Sequence, residues 1–295
     1  MSERYISHQK ITPELSNWIL EQTRAGFKPQ DVLQSMLTAG WERPVAVAAL
    51  ERTLKIRIDP QPAAVTTATA SPALVSAIAM PEPDLTNSPL YLDGGDRQVA
   101  VLTVLANPRV VVLGNLLSDE ECDGLIAFAK PRMARSLTVD NKTGGEEMNA
   151  ARTSNGMFFQ RGENELVARI EKRIARLVNW AEDRGEGIQV LQYGPGAEYK
   201  PHFDYFDPAE PGTPSILKRG GQRLGTVIMY LSEPEQGGGT VFPDLHLEVG
   251  PKRGNGVFFS YDRPHASTKT LHGGAPVVTG EKWIATKWLR EGVFV

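Results

Sequence analysis

From Gly187 onward the chain is a run of short segments rich in β-branched and aromatic residues: "IQVLQYG", "TVIMYLS", "GTVFPD", "LEVG", "NGVFFSY" and "KWIATKWL". Glycine and proline punctuate them, which is the grammar of successive strands. The segments before them differ. "ENELVARIEKRIARLVNW" places Leu166, Ile170, Ile174 and Leu177 on one face at helical spacing. Ser118 followed by Glu121 is a capping box that opens another helix, after the strand-like "RVVVLGNLL". Helices first and antiparallel strands later predict an α+β domain, with helices on one side of a double sheet of jelly-roll type.

This strand-rich region is the last of three parts. Residues 1–57 predict a small helical domain. Thr12 is placed to cap a first helix with Pro13 at its first position, Gly26 to stop it and Gly40 to stop a second, and "RPVAVAALERTL" makes a third. Three short helices of this kind resemble the ubiquitin-associated-like bundles, which implies a module for a protein or peptide partner. Residues 58–97 are rich in Pro, Ala, Ser and Thr, with little charge and no apolar period, and read as a linker. Residues 98–295 form the third part.

Composition narrows the functional classes. A formal net charge of −3 offers no basic field for nucleic acid. No apolar run reaches membrane-spanning length. The start "MSERYISHQKITPEL" has no apolar core of a secretory signal. Cys122 is the single cysteine, so an internal disulfide and a cysteine-based zinc site are both excluded. Together these predict a cytoplasmic protein.

"YKPHFDYF", residues 199–206, puts His202 and Asp204 two positions apart, on one side of an extended segment. Such a pair makes either a hydrogen bond or two ligands of a metal. A third ligand would come from His246, His265 or His272. Two histidines and a carboxylate form the facial triad of non-haem iron(II) oxygenases, which leaves positions open for substrate and oxygen. Ten residues after His272, Lys282 begins a strand among apolar neighbours. A lysine there either points to solvent at a strand edge or is buried against an anion, because burial without one is costly.

Several segments in order carry a resemblance: "LLSDEECDGLIAFA", "RTSNGMFF", "VLQYGPGAEYKPHFDYF", "GGQRLGTVIMYLSEPEQGGGTVFPD" and "STKTLHGGAPVVTGEKWIATKWL". Residues from about 110 to 292 resemble the prolyl 4-hydroxylase family of 2-oxoglutarate- and iron(II)-dependent oxygenases. The resemblance implies a double-stranded β-helix core and His202, Asp204 and His272 as iron ligands. It implies Lys282 on the distal carboxylate of 2-oxoglutarate, Tyr193 and Thr240 hydrogen-bonding the same carboxylate, and Trp288 beside the cosubstrate. Tyr199 and Arg223 fall at positions associated with the peptide substrate. Arg290 stands where some members have a basic histidine after the tryptophan, which keeps charge but changes shape. O2 is the oxidant and ascorbate a reductant of the family.

The activity implied is hydroxylation of prolyl residues in a protein or peptide, with 2-oxoglutarate converted to succinate and CO2. Asp204 favours hydroxylation over halogenation, which needs that carboxylate missing. The alternatives are the same chemistry on a free amino acid or small molecule, and a non-catalytic adaptor that uses the N-terminal helices. Residues 133–156, long, polar and containing Gly144 and Gly145, predict a lid over a peptide. Residues 207–223 predict a loop on the substrate rim.

Overall fold

The computed structural model describes residues 11–24, 28–38, 41–57, 80–136, 138–139, 145–147 and 152–295. Two compact units divide the chain, Met1–Ala73 and Leu74–Val295. The first holds α1 (Pro13–Arg24), α2 (Pro29–Thr38) and α3 (Arg43–Leu54). Thr12 caps α1 by accepting from Leu15 N at 3.3 Å. Ile19, Val32, Leu33, Met36, Ala46, Ala49 and Leu50 bury one apolar cluster among the three helices. Gly26 and Gly40 lie outside the described residues.

The second unit is a two-sheet sandwich with helices on one side. Its elements run β1 (Tyr91–Asp93), β2 (Gln98–Leu105), β3 (Val110–Gly114), α4 (Asp119–Ala129), β4 (Ala134–Arg135), β5 (Thr138–Val139), β6 (Glu146–Glu147), β7 (Asn155–Phe158) and α5 (Glu165–Leu177). They continue β8 (Gln189–Tyr193), β9 (Tyr199–His202), α6 (Thr213–Leu217), β10 (Arg223–Tyr230), β11 (Gln236–Gly237), β12 (Thr240–Phe242) and β13 (Leu247–Val249). The last are β14 (Gly256–Ser260), β15 (His272–Gly274), β16 (Val277–Thr279) and β17 (Lys282–Arg290). The major sheet has nine strands in the order β1-β2-β3-β14-β10-β17-β8-β7-β4, and the minor sheet four, β13-β12-β15-β9. The named strand pairs are antiparallel.

Alternation divides the major sheet between two cores. Val190, Val227, Met229, Phe258 and Ala285 face a cluster with Leu125 of α4 and Ile170 and Ile174 of α5. Leu191, Ile228, Tyr230, Phe259 and Ile284 face the minor sheet and Phe242. Burial on both faces is why every residue of β10 and β17 is buried. Those strands carry charge as well as apolar side chains, so each buried charge has to find a partner. Lys287 Nζ meets Glu171 of α5 at 2.5 Å. Arg290 Nη1 meets Glu186 at 3.1 Å.

The capping box of α4 is complete: Glu121 N donates to Ser118 Oγ at 3.2 Å and Ser118 N to Glu121 Oε2 at 3.0 Å. Glu121 also accepts from the buried Arg173 of α5, whose guanidinium binds Asp96 and the Leu116 carbonyl too. One arginine thus joins both helices to the first strands.

Two expectations are corrected. The linker does not run to residue 97. Pro81 and Pro83 are buried, Met80 and Leu85 pack on the core, and β1 pairs with β2. Glu82 accepts from Arg109 Nε at 2.9 Å and from Ser260 Oγ at 2.5 Å. The prolines that read as linker lie in an extended segment laid against the sheet, where few backbone donors are needed. Within 207–223, expected as loop, Thr213–Leu217 forms the short helix α6. Of the expected lid, residues 137, 140–144 and 148–151 lie outside the described residues. β4 joins the edge of the major sheet and β5 pairs with β6.

Candidate active site

The strands β9 and β15 place His202 and His272 directly opposite each other. A register shift follows His272, where Gly273 lies so close to β9 that a Cβ would stand 2.7 Å from the Tyr199 carbonyl oxygen. Only glycine fits that approach without displacing one of the two strands. Asp204 sits in the bend just after β9, and the Phe203 and Tyr205 rings stack on each other at 4.8 Å. The three side chains converge: His202 Nε2 is 3.6 Å from Asp204 Oδ1, and His272 Nε2 is 3.4 Å from Asp204 Oδ2.

Backbone carbonyls fix the tautomers. His202 Nδ1 lies 2.9 Å from the Lys200 oxygen and His272 Nδ1 3.0 Å from the Thr270 oxygen. A carbonyl only accepts, so each Nδ1 carries a proton, and each Nε2 faces Asp204. Burial pushes His272 down to about 4, so it is neutral at pH 7. Burial alone would raise the Asp204 carboxyl; the two imidazoles and Arg223 outweigh that and hold it well below the usual carboxylate range. Two imidazoles and one carboxylate, their donor atoms within 4.8 Å of one another, fit a six-coordinate iron(II) with positions left open. Among the described residues no other group of three such side chains converges. The rival third ligands lie elsewhere: His265 Nδ1 accepts from Ser267 N at 3.1 Å, and His246 has φ 51° at the end of a 3-10 turn.

Beside the triad a cleft holds about 420 Å³ of space. It is lined by Tyr193, Tyr199, Thr240, Lys282 and Trp288 together with the three metal-site residues. Lys282 opens β17 opposite Tyr193 of β8 and is 2 % exposed. Its ammonium lies 5.4 Å from the Tyr193 ring, and no carboxylate among the described residues pairs with it. Burial pushes it down to about 8; Glu248, beyond ion-pair distance, opposes this. The solvent-edge alternative for this lysine is therefore excluded. Thr240 accepts from Tyr230 OH at 2.8 Å, which leaves its own hydroxyl proton for a ligand. Trp288 presents a buried indole N–H without a partner among the described residues. Tyr199 stacks on His202 at 3.7 Å, and burial pushes its phenol up to about 12.

Arg223 is the exception among the expected residues. It is not an open position on the rim. It is 9 % exposed and binds Glu186 through Nε at 2.7 Å and Nη2 at 3.0 Å. Its guanidinium lies 4.0 Å over the Trp288 ring and reaches the Asp204 carbonyl at 3.4 Å. It braces the site from behind. Arg290 shares the Glu186 carboxylate, so its charge serves that network.

Arg152 lines the cleft and was not foreseen. It bridges to Tyr199 through the backbone, lies 5.0 Å over the Tyr199 ring and donates to Gln189 at 2.8 Å. A basic residue opening the polar "RTSNG" was the available signal.

The 2OG-Fe(II) oxygenase superfamily matches residues 188–290. Over 215 residues the chain is 44% identical to prolyl 4-hydroxylase 5 of Arabidopsis thaliana, covering 66% of this chain and 72% of that protein. It is 42% identical over 221 residues to probable prolyl 4-hydroxylase 3 of the same plant, covering 68% and 75%. Among solved structures it is similar to the viral collagen prolyl hydroxylase of Paramecium Bursaria Chlorella virus-1 in complex with 2OG. That match has TM-score 0.47 and 33% identity over 61% of this chain and 95% of that one.

Proposed function

The chain belongs to the prolyl 4-hydroxylase family of 2-oxoglutarate- and iron(II)-dependent oxygenases, and from that membership we propose that it hydroxylates prolyl residues of a protein or peptide. One observation carries the reading: a His–Asp–His triad, with Asp204 and His272 buried, shares a cleft with a buried lysine that has no carboxylate partner among the described residues. A pure binding protein needs neither.

His202, Asp204 and His272 hold the metal. When bound, iron(II) with O2 supplies the oxidative decarboxylation of 2-oxoglutarate to succinate and CO2 and the oxygen placed on the substrate carbon. Lys282 neutralises the distal carboxylate of 2-oxoglutarate, and Tyr193 and Thr240 direct hydroxyl groups to it. Trp288 closes the side of the cleft, where its free N–H meets a ligand oxygen. Tyr199 stands at the mouth, where a polypeptide would pass. Arg223 acts from behind, holding the ring of Trp288. The double-stranded β-helix is the finer description of the sandwich that suits this arrangement, and the N-terminal helices are read as a ubiquitin-associated-like module that contacts a partner. Ascorbate as reductant and a cytoplasmic setting belong to the same reading; the single cysteine supports the latter.

The test is succinate release from 2-oxoglutarate with iron(II) under air, with and without proline-rich peptides. Peptide-stimulated release in the wild type and none in His202→Ala is the expected result. Release that no proline-containing peptide stimulates, but a free amino acid does, would overturn the substrate assignment.

A further inference from the structure

Against Asp204, and outside the residues that line the cleft, lies a hydrogen-bonded chain that the mechanism above does not use. Thr226 Oγ1 is 2.7 Å from Asp204 Oδ2, and Tyr261 OH is 2.9 Å from Thr226 Oγ1. Thr226 is fully buried in the middle of β10, between Phe259 of β14 and Trp288 of β17. Tyr261 is 2 % exposed and continues the β14 ladder, its N–H donating to the Leu224 carbonyl at 2.9 Å.

Proton counting gives this chain one direction. Asp204 Oδ2 accepts from the Thr226 hydroxyl. Thr226 has one proton, so it spends that proton on Asp204 Oδ2. Its lone pair then faces Tyr261, which must donate. Burial, with Asp204 next, raises the Tyr261 phenol well above its ordinary value, so it keeps the proton this requires. Asp204 Oδ2 thereby accepts one hydrogen bond while still facing His272 Nε2 at 3.4 Å, and Oδ1 faces His202 Nε2 at 3.6 Å.

We propose that Thr226, held by Tyr261, is a positioning residue that fixes the orientation of the Asp204 carboxylate toward the two histidines. The proposal rests on the metal-site reading above. Partners of this kind, one shell behind a ligand, typically change metal affinity ten- to a hundredfold.

The experiment is titration of the metal-free full-length protein with cobalt(II), followed by its visible d–d absorption, which needs no turnover. His202→Ala controls for the site itself: if wild type and His202→Ala bind alike, the metal-site reading fails and the proposal with it. Given a wild-type site, Thr226→Val keeps the branched shape and loses the hydroxyl. It should bind cobalt about 10- to 100-fold more weakly, with altered band shape. Thr226→Ser restores the donor and should return within about threefold of wild type. Tyr261→Phe leaves the Thr226 proton in place and should lose less than the valine variant. Valine binding within threefold of wild type with an unchanged spectrum, or serine as weak as valine, would overturn the proposal. Thr226→Cys, which keeps the volume with only a weak donor, decides the same question if the valine variant does not fold.

Discussion

Lys282 should both destabilise the free protein and anchor the cosubstrate, so one substitution ought to move stability and affinity in opposite directions. Burial takes its ammonium from an ordinary 10.5 to about 8. At 1.36 kcal/mol for each tenfold change, that gap is worth ~3 kcal/mol. The folded value lies below the unfolded one, so between them the unfolded chain binds more protons. The penalty is therefore complete below pH 8, and stability is recovered as pH rises toward 10.5. Lys282→Met keeps much of the volume and removes the charge. Urea unfolding of the metal-free variant at pH 7 should show stability raised, by up to ~3 kcal/mol. Calorimetric binding of 2-oxoglutarate to the manganese-loaded variant should be weaker by about 100-fold or more, since breaking one buried ion pair costs roughly 3–5 kcal/mol. In the wild type the cosubstrate carboxylate needs the protonated amine. Affinity should be flat below pH 8 and fall about tenfold between pH 7 and 9. A variant that is less stable than wild type and binds 2-oxoglutarate within threefold of it would refute the reasoning.

Other perturbations probe the frame. Glu186→Gln strands the guanidiniums of Arg223 and Arg290; it should cost ~3 kcal/mol or more in urea unfolding. Gly273→Ala drives a methyl against the Tyr199 carbonyl oxygen, and should lose roughly 1–3 kcal/mol while weakening cobalt binding. Cys122 is buried, and burial pushes its thiol up to about 11; it should react with a disulfide reagent at the rate of unfolding, many-fold slower than in denaturant.

The pairing of His202 and Asp204 could be read from the chain because its signal is local, whereas His272 was one of three candidates until the resemblance singled it out. His202 and Asp204 share one strand end, and Lys282 opens the segment that follows His272. The role of Arg223 could not be read this way. Its partner Glu186 lies 37 residues upstream, and Arg290, which shares that carboxylate, lies 104 residues beyond Glu186. Lys287 in "KWIATKWL" looks like an exposed strand lysine until Glu171 of α5, 116 residues away, is set against it. Thr226 gives no sign either, since threonine is an ordinary strand former. The packing of the segment 81–83 on the sheet was hidden by its prolines, which mark linkers and also line sheet-covering segments. Charge partners and coverage are properties of the folded chain, and composition carries little of them.

The opposition of His202 and His272 across two strands has a consequence for how the polypeptide unfolds. These ligands are 70 positions apart in the sequence (272 − 202), and a single ion gripping both closes a loop of that length. Loop-closure entropy for such a span is about 4 kcal/mol at 25 °C. With one cysteine the chain makes no internal disulfide; a metal bound at this site would serve as the cross-link instead, one that forms and dissolves with the free metal concentration.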